Sequence, residues 1–163
     1  MDDLIIRAPK SADVETLVEI AVAAWTPIYA WYRQTMGDEL FGAAFPDWPE
    51  EKARQIRRAC DPTGSAMVGV AELEGQIAGF VTCYANDRTK IGEIGNNAVH
   101  PDAQGRGIGP RMYEYAFERL REQGMRYVKV GTGGDPAHAP ARKAYEKAGF
   151  VIQLPAVEYY REL

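Results

Sequence analysis

The chain has 163 residues, 46% apolar and 26% charged, a makeup that suits one folded domain with a sizeable core and excludes a predominantly disordered chain. Cys60 and Cys83, with His100 and His138 as the only imidazoles, are too few and too scattered for a disulfide framework or a dedicated metal centre. A net charge of -4 argues against a nucleic-acid footprint, and the longest apolar run, residues 20–25, falls far short of the roughly 20 residues of a membrane span.

The acidic start, Met1-Asp2-Asp3, lacks the basic region that opens a secretory signal, so a cytoplasmic protein is expected. Residues 4–7 read as a first strand, and Ser11 as the N-cap of a helix whose Val14, Leu17, Val18, Ala21 and Trp25 recur at helical spacing. Pro27 is expected to interrupt or end that helix. Residues 25–48 hold all three tryptophans with Tyr29, Tyr32, Phe41 and Phe45, broken by Gly37, Gly42 and Pro46, which suggests short helices and loops before a polar helix over 50–60. Two strands, 66–73 and 76–84, meet at Glu74-Gly75 as an antiparallel hairpin.

A strand over 91–99, a helix over 109–123 and a strand over 126–131 form a βαβ crossover, which makes those two strands parallel. A helix over 139–148 then leads into strand-like segments at 151–154 and 157–160. With no repeats or composition breaks, residues 1–163 read as a single domain of α+β (α/β) class. Its sheet is expected to be mixed, mostly antiparallel and twisted, with six to seven strands around the central crossover.

Charge is uneven along the chain: residues 1–99 carry 9 basic and 15 acidic side chains, against 10 and 8 over 100–163. The second part is the natural place for an anion. There the segment Gln104-Gly105-Arg106-Gly107-Ile108-Gly109 joins a strand to a helix with an apolar stripe of Met112, Tyr113, Ala116, Phe117 and Leu120. Glycines let the backbone approach a ligand, and free N–H groups at the positive helix end favour a pyrophosphate. A dinucleotide fingerprint would need glycine where Pro110 stands and an acidic residue near Val130, Gly131 and Thr132; a P-loop would need Gly-Lys-Ser/Thr where the chain has Gly109-Pro110-Arg111.

Val99-His100-Pro101 followed by Gln104-x-x-Gly107-x-Gly109 resembles the acetyl-CoA loop of the GNAT superfamily of acyl-CoA-dependent N-acyltransferases, whose pattern is Arg/Gln-x-x-Gly-x-Gly/Ala. Tyr145-Glu146-Lys147-Ala148-Gly149-Phe150 is similar to a second signature of that family, Tyr-Glu-x-x-Gly-Phe at a helix end. The resemblance covers residues 66–150 well, the first strand and helix loosely, and says little about 25–60. It implies acetyl-CoA as acyl donor, held by Gln104, Gly105, Arg106, Gly107, Ile108 and Gly109, with no metal. It also implies that backbone N–H groups near Ala98 and Val99 hold the thioester carbonyl, where one donor stabilises an oxyanion by about 3 kcal/mol.

Acetyl transfer to an amine requires a neutral nucleophile, a held oxyanion and a proton for the departing thiolate. Strand alternation puts Ile91, Glu93, Gly95, Asn97 and Val99 on one side, a composition that suits a pocket wall. The resemblance places a catalytic carboxylate of some members at Glu93, which implies a general base acting through water; a solvated strand-face glutamate is the alternative. A bulge near Asn96-Asn97 would let both residues meet the acceptor. Tyr145 shares its helix stripe with Ala141, Ala144 and Ala148, small neighbours that let a cofactor come close, and the family implies that its phenol protonates the thiolate.

Departures from the family fall at His138, where asparagine is frequent, and at Pro110, which provides no N–H. The imidazole can replace the asparagine as a donor to the cofactor or titrate near neutral pH, and Arg106 can offset the missing phosphate contact by charge. Trp25, Tyr29 and Tyr32, with Trp31 and Trp48, can form an acceptor pocket for a cationic amine beside Asp38 or Glu39. The expected function is transfer of acetyl from acetyl-CoA to a primary amine of a small metabolite or amino-acid-like substrate, by direct attack, since neither cysteine lies in a motif that would carry the acyl group. A noncatalytic acyl-CoA sensor or scaffold is the rival reading. A small-molecule partner is expected, with no nucleic acid or membrane, and the family makes a homodimer the expected assembly.

Overall fold

The structure is a computed structural model and describes residues 3–163. Met1 and Asp2, on which the expectation of a leaderless start partly rests, lie outside the described residues. Five strands form one sheet in chain order: β1 (Leu4–Arg7), β2 (Met67–Leu73), β3 (Gln76–Tyr84), β4 (Ile91–Val99) and β5 (Tyr127–Val130). All neighbours are antiparallel except β4 and β5, which are parallel and joined through α4 (Ile108–Glu122). Glu74 and Gly75 have φ of 54° and 78°, the left-handed pair that a two-residue hairpin needs to follow strand twist.

Because side chains alternate across a strand, the sheet feeds two cores. On one face Leu17, Ile20 and Ala21 of α1 (Val14–Met36) and Ala53 and Ile56 of α3 (Trp48–Ala59) pack on Val70, Phe80 and Ala98. On the other, Ile108, Met112 and Ala116 of α4 and Tyr145 of α5 (Ala139–Lys147) pack on Ala71, Val81 and Ile94. The short α2 (Asp38–Ala44) lies against the end of α1. No helix among the described residues is long and apolar enough to cross a membrane.

Four expectations are corrected. The sheet has five strands rather than six or seven, because residues 151–163 form no ladder; Val151, Ile152, Leu154 and Tyr159 are 85–92% exposed. Apolar alternation gives β propensity, but a strand exists only when another strand satisfies its backbone. Pro27 does not end α1, which continues through it to Met36. Tyr29 and Tyr32 beyond the proline pack against Phe45 and Trp48, and this contact offsets the roughly 3 kcal/mol that an interior proline costs.

Ser11 opens a 3-10 turn, and Asp13 takes the N-cap position of α1. The Asp13 carboxylate accepts from the Lys10 N–H at 2.6 Å and from Arg7 at 2.6 Å, and Arg7 reaches Glu72 at 2.7 Å, which ties the helix start to β1 and β2. Finally, β4 is bulged. Val81 pairs with Asn97 and Cys83 with Ile94, so Thr82 alone faces Gly95 and Asn96, one residue earlier than expected. The extra residue reverses alternation, and Glu93 and Asn97 point to opposite faces rather than sharing one.

Candidate active site

Beyond the Ile94–Val130 pair, β4 and β5 no longer pair, although β4 continues to Val99. The sheet is therefore open along one edge of residues 95–99. The His100 N–H donates to Ala78 O at 2.8 Å, so alternation along the ladder turns the Ala98 N–H toward β3 as well. The Asn97 and Val99 N–H groups face the opening. Of the two expected carbonyl donors, Val99 is thus turned to the opening, while Ala98 serves the ladder and packs its side chain into the core.

Asn97 is the junction of the α4/α5 side. Tyr113 Oη donates to its Oδ1 at 3.1 Å, and its Nδ2 donates to Gly95 O and to Tyr145 Oη, both at 3.1 Å. The Tyr145 hydroxyl therefore accepts one bond and keeps its own hydrogen to donate. Burial pushes the Tyr145 phenol above its ordinary value while the Asn97 bond pulls it back in part, so it stays protonated at neutral pH. Ala141, Ala144 and Ala148 pack around the same core, as the helix stripe suggested.

The glycine loop lies at one end of this opening. Gln104 follows a 3-10 turn (Pro101–Ala103), and Gln104, Gly105, Arg106 and Gly107 are exposed, whereas Ile108 is anchored in the core. Gly107 is the N-cap of α4 with φ 75°, and a Cβ on Gly105, Gly107 or Gly109 would meet nothing within 4 Å. The loop presents bare main chain and the positive end of a 15-residue helix to the outside. That arrangement fits a diphosphate. Arg106, expected to replace the Pro110 contact, pairs with Glu74 at 2.6 Å.

Glu93 is on the α1/α3 face of β4, half-exposed, and its carboxylate meets Lys129 of β5 at 2.9 Å. His138, the residue before α5, is held by Asp135 through Nδ1 at 2.6 Å, and its ring faces Tyr32 of α1 at 6.1 Å. Arg142 donates to Gly133 O and Asp135 O, both at 2.7 Å, and steadies that loop.

The aromatic residues divide. Tyr29 stacks on Trp48 at 4.2 Å and Tyr32 on Phe45 at 5.5 Å, and burial pushes the Tyr32 phenol up to about 12. Tyr29 and Trp48 also line a groove of about 520 Å³ with Arg33, Asp38 and Phe41. Trp25 stands apart: its ring carries the Lys52 ammonium at 4.1 Å. Asn96 likewise turns to the α3 side, where its Oδ1 accepts from Lys52 at 3.0 Å.

Lys52 was missed from sequence because α3 reads as polar. Its signal was spacing: Lys52, Ile56 and Ala59 follow one helical stripe, and all three are buried. Cys83 is buried with its thiol pushed up to about 11, a poor carrier for an acyl group at neutral pH. Among the described residues no cluster of His, Cys, Asp and Glu could hold a metal.

The family model of the acetyltransferase (GNAT) family matches residues 25–150. The chain belongs to the GNAT acetyltransferase family. Among GNAT relatives, the mycothiol acetyltransferase of Thermomonospora curvata is 32% identical over 126 residues, covering 72% of this chain and 40% of that protein. The mycothiol acetyltransferase of Streptomyces coelicolor is 27% identical over 165 residues, covering 96% of this chain and 48% of that protein. The GNAT chain described here thus spans two-fifths to about half the length of these relatives. The fold matches a crystal structure of the PaiA N-acetyltransferase of Thermoplasma acidophilum with coenzyme A at a TM-score of 0.69 and 18% identity, over 93% of this chain and 91% of that one.

Proposed function

We propose that this chain transfers an acetyl group from acetyl-CoA to a primary amine of a small metabolite or amino-acid-like substrate, by direct attack with both substrates bound, and that residues 1–163 work as one such domain. The observation that carries the reading is the Tyr145 hydroxyl, protonated and, among the described residues, hydrogen-bonded only as an acceptor, buried beside the opening between β4 and β5.

Acetyl-CoA supplies an activated acyl group and a thiolate leaving group. Gln104, Gly105, Arg106, Gly107, Ile108 and Gly109 hold its diphosphate by main-chain N–H groups, with His138 and Ala141 lining the path beside α5. The Val99 N–H, with that of Asn97, donates to the thioester carbonyl oxygen. Glu93, on the α1/α3 face, takes the proton of the amine through water, and Tyr145, on the other face, gives its proton to sulfur. Trp25, Tyr29, Tyr32, Asn96 and Asn97 border the acceptor's approach; for Asn96 and Asn97 the contribution is to shape the wall, because their side-chain amides already bond Lys52 and Tyr145. The raised Cys83 thiol supports direct attack over an acyl-cysteine route.

The mycothiol acetyltransferase relatives, and the matching fold of an aminoglycoside N-acetyltransferase at 13% identity, support a small-molecule amine as the acceptor class. Calorimetry with acetyl-CoA, followed by thiol release across amino acids, polyamines and aminoglycosides, tests the proposal. Binding with turnover on an amine supports it; binding with no turnover on any amine gives the acyl-CoA sensor instead.

A homodimer belongs to the same proposal. Support comes from residues 151–163: Val151, Ile152, Leu154, Val157 and Tyr159 are 79–92% exposed, and Val151 and Ile152 lie beside Tyr127 and Val128 of β5, whose outer edge is unpaired, surface that a second copy would cover. Light scattering at micromolar concentration, with and without residues 151–163, measures it. A cytoplasmic setting completes the proposal, supported by the free thiols of Cys60 and Cys83.

A further inference from the structure

Lys52 of α3 is a buried cation for which the acetyl-transfer scheme has no use. It is 7% exposed within the α1/α3 core, and among the described residues it forms no ion pair. Taking an ammonium out of water is costly unless hydrogen bonds or a counter-charge offset it. Here the partners are neutral: Gln55 Oε1 at 3.1 Å, Asn96 Oδ1 at 3.0 Å and the face of Trp25 at 4.1 Å.

These partners belong to three elements. Trp25 is on α1, Gln55 on α3, and Asn96 is one of the two residues of the β4 bulge. The Asn96 carbonyl also accepts from Thr82 Oγ1 at 3.0 Å. The next residue, Asn97, sends its side chain to the opposite face, to Tyr113 and Tyr145. The bulge is thereby gripped from both sides, by one cation on the α3 side and by two phenols on the α4/α5 side. An apolar residue at 52 would still fill the space against Trp25, but it would take from Asn96 Oδ1 its charged donor, the stronger kind of hydrogen bond.

We propose that Lys52 is a positioning residue: through Asn96 it fixes the β4 bulge, and so aims the Asn97 and Val99 N–H groups and the Asn97–Tyr145 pair at the opening between β4 and β5. Its catalytic consequence rests on the acetyl-transfer reading; its structural consequence does not.

The test compares the parent chain with Lys52→Met, Asn96→Ala and the double substitution, by melting temperature, amide hydrogen exchange at residues 95–99, and steady-state acetyl transfer. Lys52→Met keeps the length of the side chain and removes a buried charge, so its melting temperature equals or exceeds the parent's. Among residues 95–99 the reporter is the Ala98 N–H, which is turned to β3, and its exchange rises at least about 10-fold in both single variants as the bulge loosens. Loss of aim lowers kcat by about 10- to 100-fold with KM for acetyl-CoA unchanged. Asn96→Ala also removes the Asn96 Nδ2 bond to Gln55 Oε1 at 3.3 Å, so the double variant is no worse than Asn96→Ala, which already contains the loss of the Lys52 link.

Unchanged exchange and unchanged kcat in Lys52→Met and Asn96→Ala overturn the proposal, as does a loss of melting temperature with kcat intact, the mark of a purely structural lysine. If the parent turns over no amine, the acetyl-transfer reading fails on its own. Exchange at residues 95–99 then decides for Lys52: a rise sustains its hold on the bulge and no change refutes it.

Discussion

Tyr145→Phe removes one oxygen and leaves the surroundings nearly intact, which makes its consequences calculable. The lost oxygen accepts a single bond, from Asn97 Nδ2 at 3.1 Å. That nitrogen still donates to Gly95 O at 3.1 Å, and Tyr113 still donates to Asn97 Oδ1, so the amide keeps a partner at each end. The stability cost is therefore that of one hydrogen bond, about 1 kcal/mol, or roughly 2–4 °C of melting temperature for a chain of this size. The diphosphate loop is built on α4, away from this hydroxyl, so acetyl-CoA affinity measured by calorimetry stays at the parent value. A positioned proton donor is worth about 100- to 10,000-fold in rate, and kcat for thiol release falls by that order. Because burial raises the phenol above its ordinary value, the parent shows no loss of rate from Tyr145 ionisation between about pH 6 and 9. A variant that folds, binds acetyl-CoA and turns over at the parent rate would remove Tyr145 from the mechanism.

Gly107→Ala tests the loop: with φ 75° and no neighbour for a Cβ within 4 Å, its cost is conformational, about 1–2 kcal/mol. If holding the loop in this shape carries that cost, acetyl-CoA binding by calorimetry weakens about 10-fold. Glu93→Gln moves the pH–rate profile and lowers kcat by about 100-fold or more, while the exposed pair with Lys129 contributes at most about 1 kcal/mol to stability. A superimposable profile would assign the proton transfer to another group. Asp13→Asn breaks the charge-assisted bond to Arg7 at the start of α1 and lowers stability in denaturant by about 1–3 kcal/mol at neutral pH. The Arg7 bond holds the Asp13 carboxyl below its ordinary value, so this stabilisation is full above the unfolded value near 3.9 and is lost as pH falls through the folded one; parent and variant converge in acid.

Much of the frame was legible because it follows from period and punctuation. The bounds of β1, β3 and β4 match the expected ranges, and the hairpin turns at Glu74-Gly75 as its glycine required. What escaped reading depends on contacts distant in sequence. Pro27 carries a local penalty that the Tyr29, Phe45 and Trp48 stack overrides, and no local pattern contains that stack. The segments at 151–154 and 157–160 have strand composition without a partner ladder. Lys52 is buried because Trp25 and Asn96, 27 and 44 positions away, receive it.

The faces of β4 show why site assignment is harder than fold assignment. A period-two reading places Glu93 and Asn97 together, and a single unpaired residue is enough to separate them. Gly95 is the cue, since a Cβ there would come within 2.7 Å of Thr82 Oγ1. The separation suits the proposed chemistry. Glu93 ends on the face of α1 and α3, the face that carries Trp25, and Asn97 ends on the face of α4 and α5, where it holds Tyr145. On opposite faces of one strand, the proposed scheme has Glu93 serve the arriving amine and Tyr145 the departing sulfur, with the turned N–H groups of Asn97 and Val99 between them. The inserted residue thus divides Glu93 from Asn97 where β4 runs on beyond its last pair with β5, and the proposed grip of Lys52 on Asn96 acts at that point.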